Sequence, residues 1–343
     1  MSTTSRISIE TISSAVLRGN PLGDPEARPV PVYLPPGYDH SQIRYPVVYL
    51  LAGYTGRGTY MLNDSAFDET IQERLDRLIE TGAIQPMIVA LPDCFTRYGG
   101  SQYMNSSATG RYEDHLIYEL IPAIDRQYRT RAEAGSRAIA GKSSGGYGAL
   151  VQAMRHPDLF GVVACHSGDM YFEYCYKPDF PLFLNAAGRL GLSTPEALAQ
   201  FLADFSPKMH PKPANFFDLL SVAAMAACYS PNPATPGGFD LPFDLTSGEL
   251  RPGIWQRWLA HDPITLLQAE RHAAALRGMR LLYLDCGNRD EHALHYGARI
   301  FCRRLTELNI PYVYEEFDGG HRNTQFRYDV SLKLISQALG HSL

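Results

Sequence analysis

Arg137-Ala138-Ile139-Ala140-Gly141-Lys142-Ser143-Ser144-Gly145-Gly146-Tyr147-Gly148-Ala149-Leu150 is the stretch whose reading decides the fold. A short apolar run, Ala138 to Ala140, meets Gly-x-Ser-x-Gly, and small residues then open an amphipathic segment reaching Arg155. That order describes a strand, a sharp strained turn carrying Ser143, and a helix: a nucleophile elbow. So tight a turn presses the helix onto the strand, which requires Gly141 and Gly145 to lack side chains and leaves the Ser143 hydroxyl exposed at the tip. A Gly/Ser-rich loop could produce the same string, so the surrounding pattern has to carry the reading. The rival is a phosphate-binding loop ending in Gly141-Lys142-Ser143. It needs glycine five positions before the Gly-Lys pair, where Ser136 stands, and Arg137-Ala138-Ile139-Ala140 reads as strand rather than as a glycine-rich cradle.

Outward from the elbow, strands alternate with helices. Upstream, residues 5–17 and Val30 to Leu34 read as two antiparallel strands joined by the turn-rich 19–25. Tyr45 to Leu51 and Met87 to Leu91 are continuous apolar runs, as strands buried on both faces require. Between them, Asp68 to Thr81 has helical periodicity and stops at Gly82, and Tyr112 to Tyr128 reads as a long helix. Downstream, Phe160 to Cys165, Met279 to Leu284 and Pro311 to Phe317 are predicted strands, with helices over Glu291 to Leu308 and Val330 to Leu339. This pattern predicts an α/β fold, a mostly parallel sheet with helices on both faces.

The alternation breaks from about Met170 to Asp262. There Thr194 is placed to cap a helix with Pro195 in its first turn, and Asn215 to cap a second, small-residue helix. Pro-rich connections and Trp255 and Trp258 follow, aromatics that ordinary core packing explains. The segment reads as an inserted cap, giving a core domain over 1–169 and 263–343 and a lid over 170–262.

At 343 residues and net charge −5, the chain can bury a full core and has no basic run suited to nucleic acid or anionic lipid. Neither a signal-like start nor a membrane-spanning stretch is legible, and Cys94, Cys165, Cys175, Cys228, Cys286 and Cys302 are scattered without metal spacing. The expectation is a soluble, cytoplasmic protein with reduced thiols, no metal and no cofactor. No membrane or nucleic-acid partner is expected, and a homodimer is compatible with the chain.

A serine hydroxyl attacks only when a base takes its proton, and the base needs a carboxylate to fix its tautomer. Two downstream loops supply these in the order that an elbow-bearing sheet demands. Asp285 to Glu291 follows the strand ending at Leu284, and Asp318-Gly319-Gly320-His321 follows the strand ending at Phe317. We assign His321 as base and Asp290 as acid, with Asp285, nearer the strand, and the adjacent Glu291 as the competing carboxylates. Glycines at 319 and 320 favour His321 over His292 and His295. Charge developing on a substrate oxygen needs two fixed donors, which fall to the backbone N–H groups of Ser144 and Tyr54.

At this point the chain resembles the putative-esterase (esterase D-like) family of α/β-hydrolases, which includes S-formylglutathione hydrolases, feruloyl esterases, siderophore esterases and mycolyltransferases. The resemblance rests on Val30 to Tyr38, Tyr45 to Gly56, Tyr112 to Thr130, Gly141 to Leu150, His156 to Phe160, Gly287 to Asp290 and Gly320-His321. It implies an α/β-hydrolase fold and a Ser143/His321/Asp290 triad. The chain departs where relatives often carry His-Gly in the oxyanion loop and it carries Ala52-Gly53, losing a supporting side chain. The 170–262 insertion covers the region that shapes family pockets, so the resemblance implies mechanism and not substrate.

Loops expected to overhang Ser143 supply Tyr54, Tyr103, Asn105, Ser106, His166, Asp169, Tyr171 and Phe172, which suit a modest-sized, aromatic or hydroxylated ester. The expected activity is a carboxylic ester hydrolase passing through an acyl-Ser143 intermediate. An acyltransferase using the same triad and a non-catalytic α/β-hydrolase scaffold are the alternatives.

Overall fold

Eight strands form one sheet: β1 (Arg6–Ser13), β2 (Ala27–Leu34), β3 (Val47–Leu51), β4 (Ile88–Ala90), β5 (Arg137–Lys142), β6 (Val162–His166), β7 (Leu281–Gly287) and β8 (Val313–Phe317). The computed structural model describes residues 4–213 and 215–340. Strand order is β1-β2-β4-β3-β5-β6-β7-β8. β2 runs against both neighbours, and every pairing from β4 to β8 is parallel.

Both faces are covered, and the strands show it residue by residue. Val47, Tyr49 and Leu51 of β3, Ile139 of β5 and Val163 and Cys165 of β6 enter one buried cluster. Their neighbours Val48, Leu50, Ala138, Ala140, Val162 and Ala164 enter a second cluster on the other face. Period-two alternation between two apolar layers is why these strands read as unbroken hydrophobic runs. The second layer is closed by helices Ile71–Glu80, through Ile71, Leu75 and Leu78, and Tyr328–Gly340, through Leu332, Ile335 and Leu339. The first layer is closed by helices Ser144–Arg155 and Leu294–Glu307 and by the helical run over 112–127.

The expected elements are present, with informative shifts at their ends. The helix expected from Asp68 begins at Ile71, because Thr70 and Glu73 form a reciprocal capping box that fixes the first turn. The helix expected over 112–128 is interrupted by a wide turn at His115–Leu120. There Glu119 accepts the N–H groups of Ala15 (2.8 Å) and Val16 (3.1 Å), tying the helix to the loop after β1.

Residues 170–262 add no strand to the sheet. They contribute helices Phe172–Cys175, Asp179–Arg189, Pro195–Asp204, Phe216–Tyr229 and Pro252–Leu259. Thr194 caps its helix by accepting the N–H of Ala197. Asn215 does not cap in that way: it takes a left-handed backbone (φ 58°) and its side chain makes no bond to the helix start. The aromatics do pack as core, with Phe180 4.9 Å from Phe243 and 5.7 Å from Trp258, ring centre to ring centre. Buried residues of the insertion join the same cluster as the first face of the sheet. Tyr147, in the helix after the elbow, donates to the carbonyl of His261 (3.0 Å) and lies against Phe172 and Tyr229.

The glycines of the elbow are sterically obligatory. A Cβ on Gly141 would lie 2.4 Å from the Gly145 carbonyl oxygen, and one on Gly145 would lie 2.3 Å from that of Leu51. Gly188, by contrast, faces open space inside a helix. Gly145→Ala is therefore expected to cost about 3 kcal/mol, whereas Gly188→Ala should stabilise by about 0.5 kcal/mol. Urea unfolding of the two variants checks the opposite signs.

Candidate active site

Ser143 occupies the tip of the turn between β5 and helix Ser144–Arg155, with φ 58° and ψ −127°. This left-handed conformation is strained for a residue bearing a Cβ, and its neighbours hold it there. The Ser143 N–H donates to the His166 carbonyl at the end of β6 (2.9 Å), and the Ser143 carbonyl accepts the Tyr147 N–H (2.8 Å). Two further glycines let the helix approach. A Cβ on Gly146 would meet the His166 carbonyl oxygen at 2.9 Å, and one on Gly148 would meet the Tyr103 ring at 2.4 Å.

The loops after β7 and β8 converge on this tip. Asn288 donates to Phe317 and Arg289 to Gly319, backbone to backbone at 2.9 Å each, and so extend the β7–β8 pairing beyond the strands. Gly287 permits the approach, since a Cβ there would lie 2.4 Å from the Gly319 carbonyl oxygen. On these loops His321 Nδ1 meets Asp290 Oδ2 at 2.7 Å and His321 Nε2 meets Ser143 Oγ at 3.1 Å. Asp290 Oδ1 accepts the His292 N–H at 2.9 Å. Burial pushes the Asp290 carboxyl upward, but the His321 bond and charge and the His292 N–H outweigh it and hold it below the ordinary range.

The other two carboxylates are occupied elsewhere. Glu291 accepts the backbone N–H of His321 and so shapes the loop rather than touching the imidazole. Asp285 belongs to a buried array beneath the elbow, where His166 Nδ1 meets Asp285 Oδ1 at 2.8 Å and His166 Nε2 meets Ser331 Oγ at 2.9 Å. Asp285 also accepts from Tyr283 (2.8 Å) and from Arg327 Nε (2.9 Å). The molecule thus contains two Ser–His–Asp arrays, and His166, Asp285 and Ser331 are all buried.

Ser143, Ser144, Tyr54, His321 and Asp169 line one cavity of about 320 Å³. The loop after β3 is pressed onto the elbow: a Cβ on Gly53 would lie 3.2 Å from the Lys142 carbonyl oxygen. Hydroxyls hold it in place, Tyr103 donating to the Ala52 carbonyl and Tyr54 to that of Tyr98, both at 2.6 Å. These bonds support the Ala52-Gly53-Tyr54 loop from both sides. Ser144 opens its helix, whose dipole places partial positive charge beside the Ser143 hydroxyl.

Most of the overhanging residues expected around Ser143 lie elsewhere. Tyr103 sits beneath the loop after β3, and Asn105 pairs with Asp114 (2.9 Å). His166 belongs to the buried array, and Ser106 donates to the Ala227 carbonyl (2.5 Å). Tyr171 lies against Tyr174, and Phe172 is fully buried among Tyr147, Tyr176 and Tyr229. Asp169 does reach the cavity, its Oδ2 accepting from Gln102 (3.0 Å) and Tyr176 (2.8 Å). The insertion supplies the lining that the sequence reading passed over, including Tyr176, Asp179, Phe180, Phe217, Met225 and Trp258. Phe217, Ser221 and Met225 recur every four residues along one helix face, a spacing visible in the sequence but indistinguishable there from core.

A sheet in this order, with Ser, Asp and His on the loops after β5, β7 and β8, defines an α/β-hydrolase. The Putative esterase family model matches residues 25–336, and the chain belongs to that family. An endo-1,4-beta-xylanase/feruloyl esterase of Xylanibacter ruminicola is 33% identical over 148 residues, which cover 41% of this chain and 19% of that protein. An esterase of Mycobacterium tuberculosis is 37% identical over 145 residues, 40% of this chain and 28% of that protein. The aligned segments thus span less than a third of either relative. Among solved structures, a ferulic acid esterase matches with TM-score 0.63 at 21% identity, over 98% of this chain and 99% of that one. An S-formylglutathione hydrolase of Staphylococcus aureus matches with TM-score 0.57 at 17% identity, again over 98% and 99%. At these identities the structural likeness shows the shared fold. No helix among the described residues is long and apolar enough to cross a membrane.

Asp285→Asn is expected to cost about 3 kcal/mol at neutral pH, because it removes the buried counter-charge that Arg327 meets at 2.9 Å. Asp285 is held below its ordinary value of 3.8: burial raises it, and His166 and Arg327 together lower it by more. Its contribution is therefore fully present above the ordinary value and lost as pH falls from there through the lowered one. Urea denaturation of wild type and variant should show a gap that is full at pH 7 and narrows below about pH 4.

Proposed function

We propose that the protein is a serine carboxylic ester hydrolase in which Ser143 is the nucleophile, His321 the base and Asp290 the residue that orients and charges the imidazole. One observation carries this reading: the hydrogen-bonded chain from Asp290 through His321 to Ser143 ends in a hydroxyl that opens into the cavity. In the acylation step, Ser143 Oγ attacks the ester carbonyl carbon while its proton passes to His321 Nε2. The carbonyl oxygen becomes an oxyanion facing the backbone N–H groups of Tyr54 and Ser144. Collapse breaks the bond to the alcohol oxygen, which takes the proton from His321 and leaves. Water then repeats the sequence on the acyl-serine and releases the acid. Asp290 stays ionised throughout, as its lowered proton affinity supports.

Water as the second nucleophile fits the entrance, where His292 and Arg322 are both exposed at the cavity rim. The cavity volume and the rings of Phe180, Phe217 and Trp258 suit a modest-sized group, aromatic or hydroxylated, better than a long bare alkyl chain. The names of the feruloyl and ferulic acid esterase relatives agree with an aromatic acyl group.

Turnover of p-nitrophenyl acetate, butyrate, octanoate and a feruloyl ester tests the reading. Ser143→Ala and His321→Ala should each lower kcat by at least about 10³-fold on every ester the wild type cleaves, and Asp290→Asn by about 10⁴-fold. Equal rates in wild type and Ser143→Ala, or none in wild type, would overturn it.

A further inference from the structure

The cavity wall is aromatic and acidic, with little to balance its charge. Asp169 and Asp179 both line it, and no lysine does among the described residues. Its one arginine, Arg322, is exposed at the rim beside His292 and His321. Asp169 is satisfied by Gln102 and Tyr176. The Asp179 carboxylate has neither a hydrogen bond nor an ion pair among the described residues, although it stands in a half-buried wall. Burial pushes Asp179 up to about 6, and the negative charges of Asp218 and Asp169 add to the effect. A second acceptor stands unspent behind this wall, outside the cavity lining. Gln102 is 1% exposed and gives its amide to Asp169, Tyr176 and Tyr229, and its Oε1 has no partner.

We infer that the substrate carries a compact cationic group, an alkylammonium, that seats in this cavity against Asp179 and Asp169 within the rings of Phe180, Phe217 and Trp258. A neutral hydroxyl would satisfy one acceptor and leave the like charges facing one another. An ammonium offsets several carboxylates at once and is attracted to aromatic faces, which have negative potential. The protein gives Asp179 no ion pair among the described residues, and the ligand supplies the cation. This inference rests on the hydrolase reading for the identity of the pocket, and it names the substrate class of that same site.

The test reads binding rather than turnover. In Ser143→Ala, butyrylcholine and its uncharged isostere 3,3-dimethylbutyl butyrate are titrated while the fluorescence of Trp255 and Trp258 is followed. These are the chain's two tryptophans, and Trp258 lines the cavity. Burial of apolar surface alone favours the neutral ester, so preference for the cation is diagnostic. The cationic ester should bind about tenfold tighter than its isostere. Adding Asp179→Asn should bring the ratio to about one, and Asp179→Glu should keep most of it. Neutral binding equal to or tighter than cationic binding would overturn the inference, as would a preference that survives Asp179→Asn. A wild type that leaves all four esters of the turnover test intact would sink the hydrolase reading instead, and the binding ratio would still decide this one.

Discussion

Everything in the site depends on how closely the helix after β5 approaches the carbonyl oxygens of Leu51 and Ala52. A Cβ on Gly145 would come within 2.3 Å of the first and 2.7 Å of the second. That contact sets the angle at which the helix leaves the sheet, forces Ser143 into its left-handed conformation, and presses Gly53 onto the elbow. The loop after β3 and the Ser143 hydroxyl are therefore positioned by one packing constraint. Because the constraint is steric and made of backbone, it is rigid in a way that a set of side-chain bonds would not be.

The parts of the site that were legible in the sequence lie at the ends of strands. Ser143, Asp290 and His321 each follow a predictable apolar run by a few residues, so topology alone brings them to one edge of the sheet. The pocket was less legible because it is built by the insertion, whose path no strand periodicity fixes. Phe180 and Trp258 look the same whether they pack a core or line a cavity, and here each does both. The displacement of His166 from the expected pocket has a simple cause. It shares a strand face with Val162 and Ala164, and its register partner on β7 is Asp285, so strand geometry alone carries it away from the cavity. Asn215 was misread because the residue type that accepts an N–H at a helix start also tolerates a left-handed backbone, and the second property was used.

The insertion and the sheet share one buried cluster, and the contacts that join them also bound the site. Tyr147 reaches into the insertion from the helix that Ser143 begins, and Tyr229 and Tyr176 return through Gln102 to Asp169, just beyond β6. Packing and polar contacts thus run without a break from the elbow to the wall opposite it. The six cysteines are unpaired and buried. Beyond the continuous backbone, the insertion is therefore held to the sheet by noncovalent contact.

The buried His166–Asp285–Ser331 array bears on how such sites are recognised at all. Its spacings, 2.8 and 2.9 Å, are as good as the 2.7 and 3.1 Å at Ser143. A geometric template for Ser–His–Asp would match this chain twice among the described residues and rank the two serines level. What separates the two is access: one hydroxyl borders a cavity, and the other sits on helix Tyr328–Gly340 with none of its surface open to solvent. Whether such an array can meet a ligand is a property of its address in the fold more than of a set of distances.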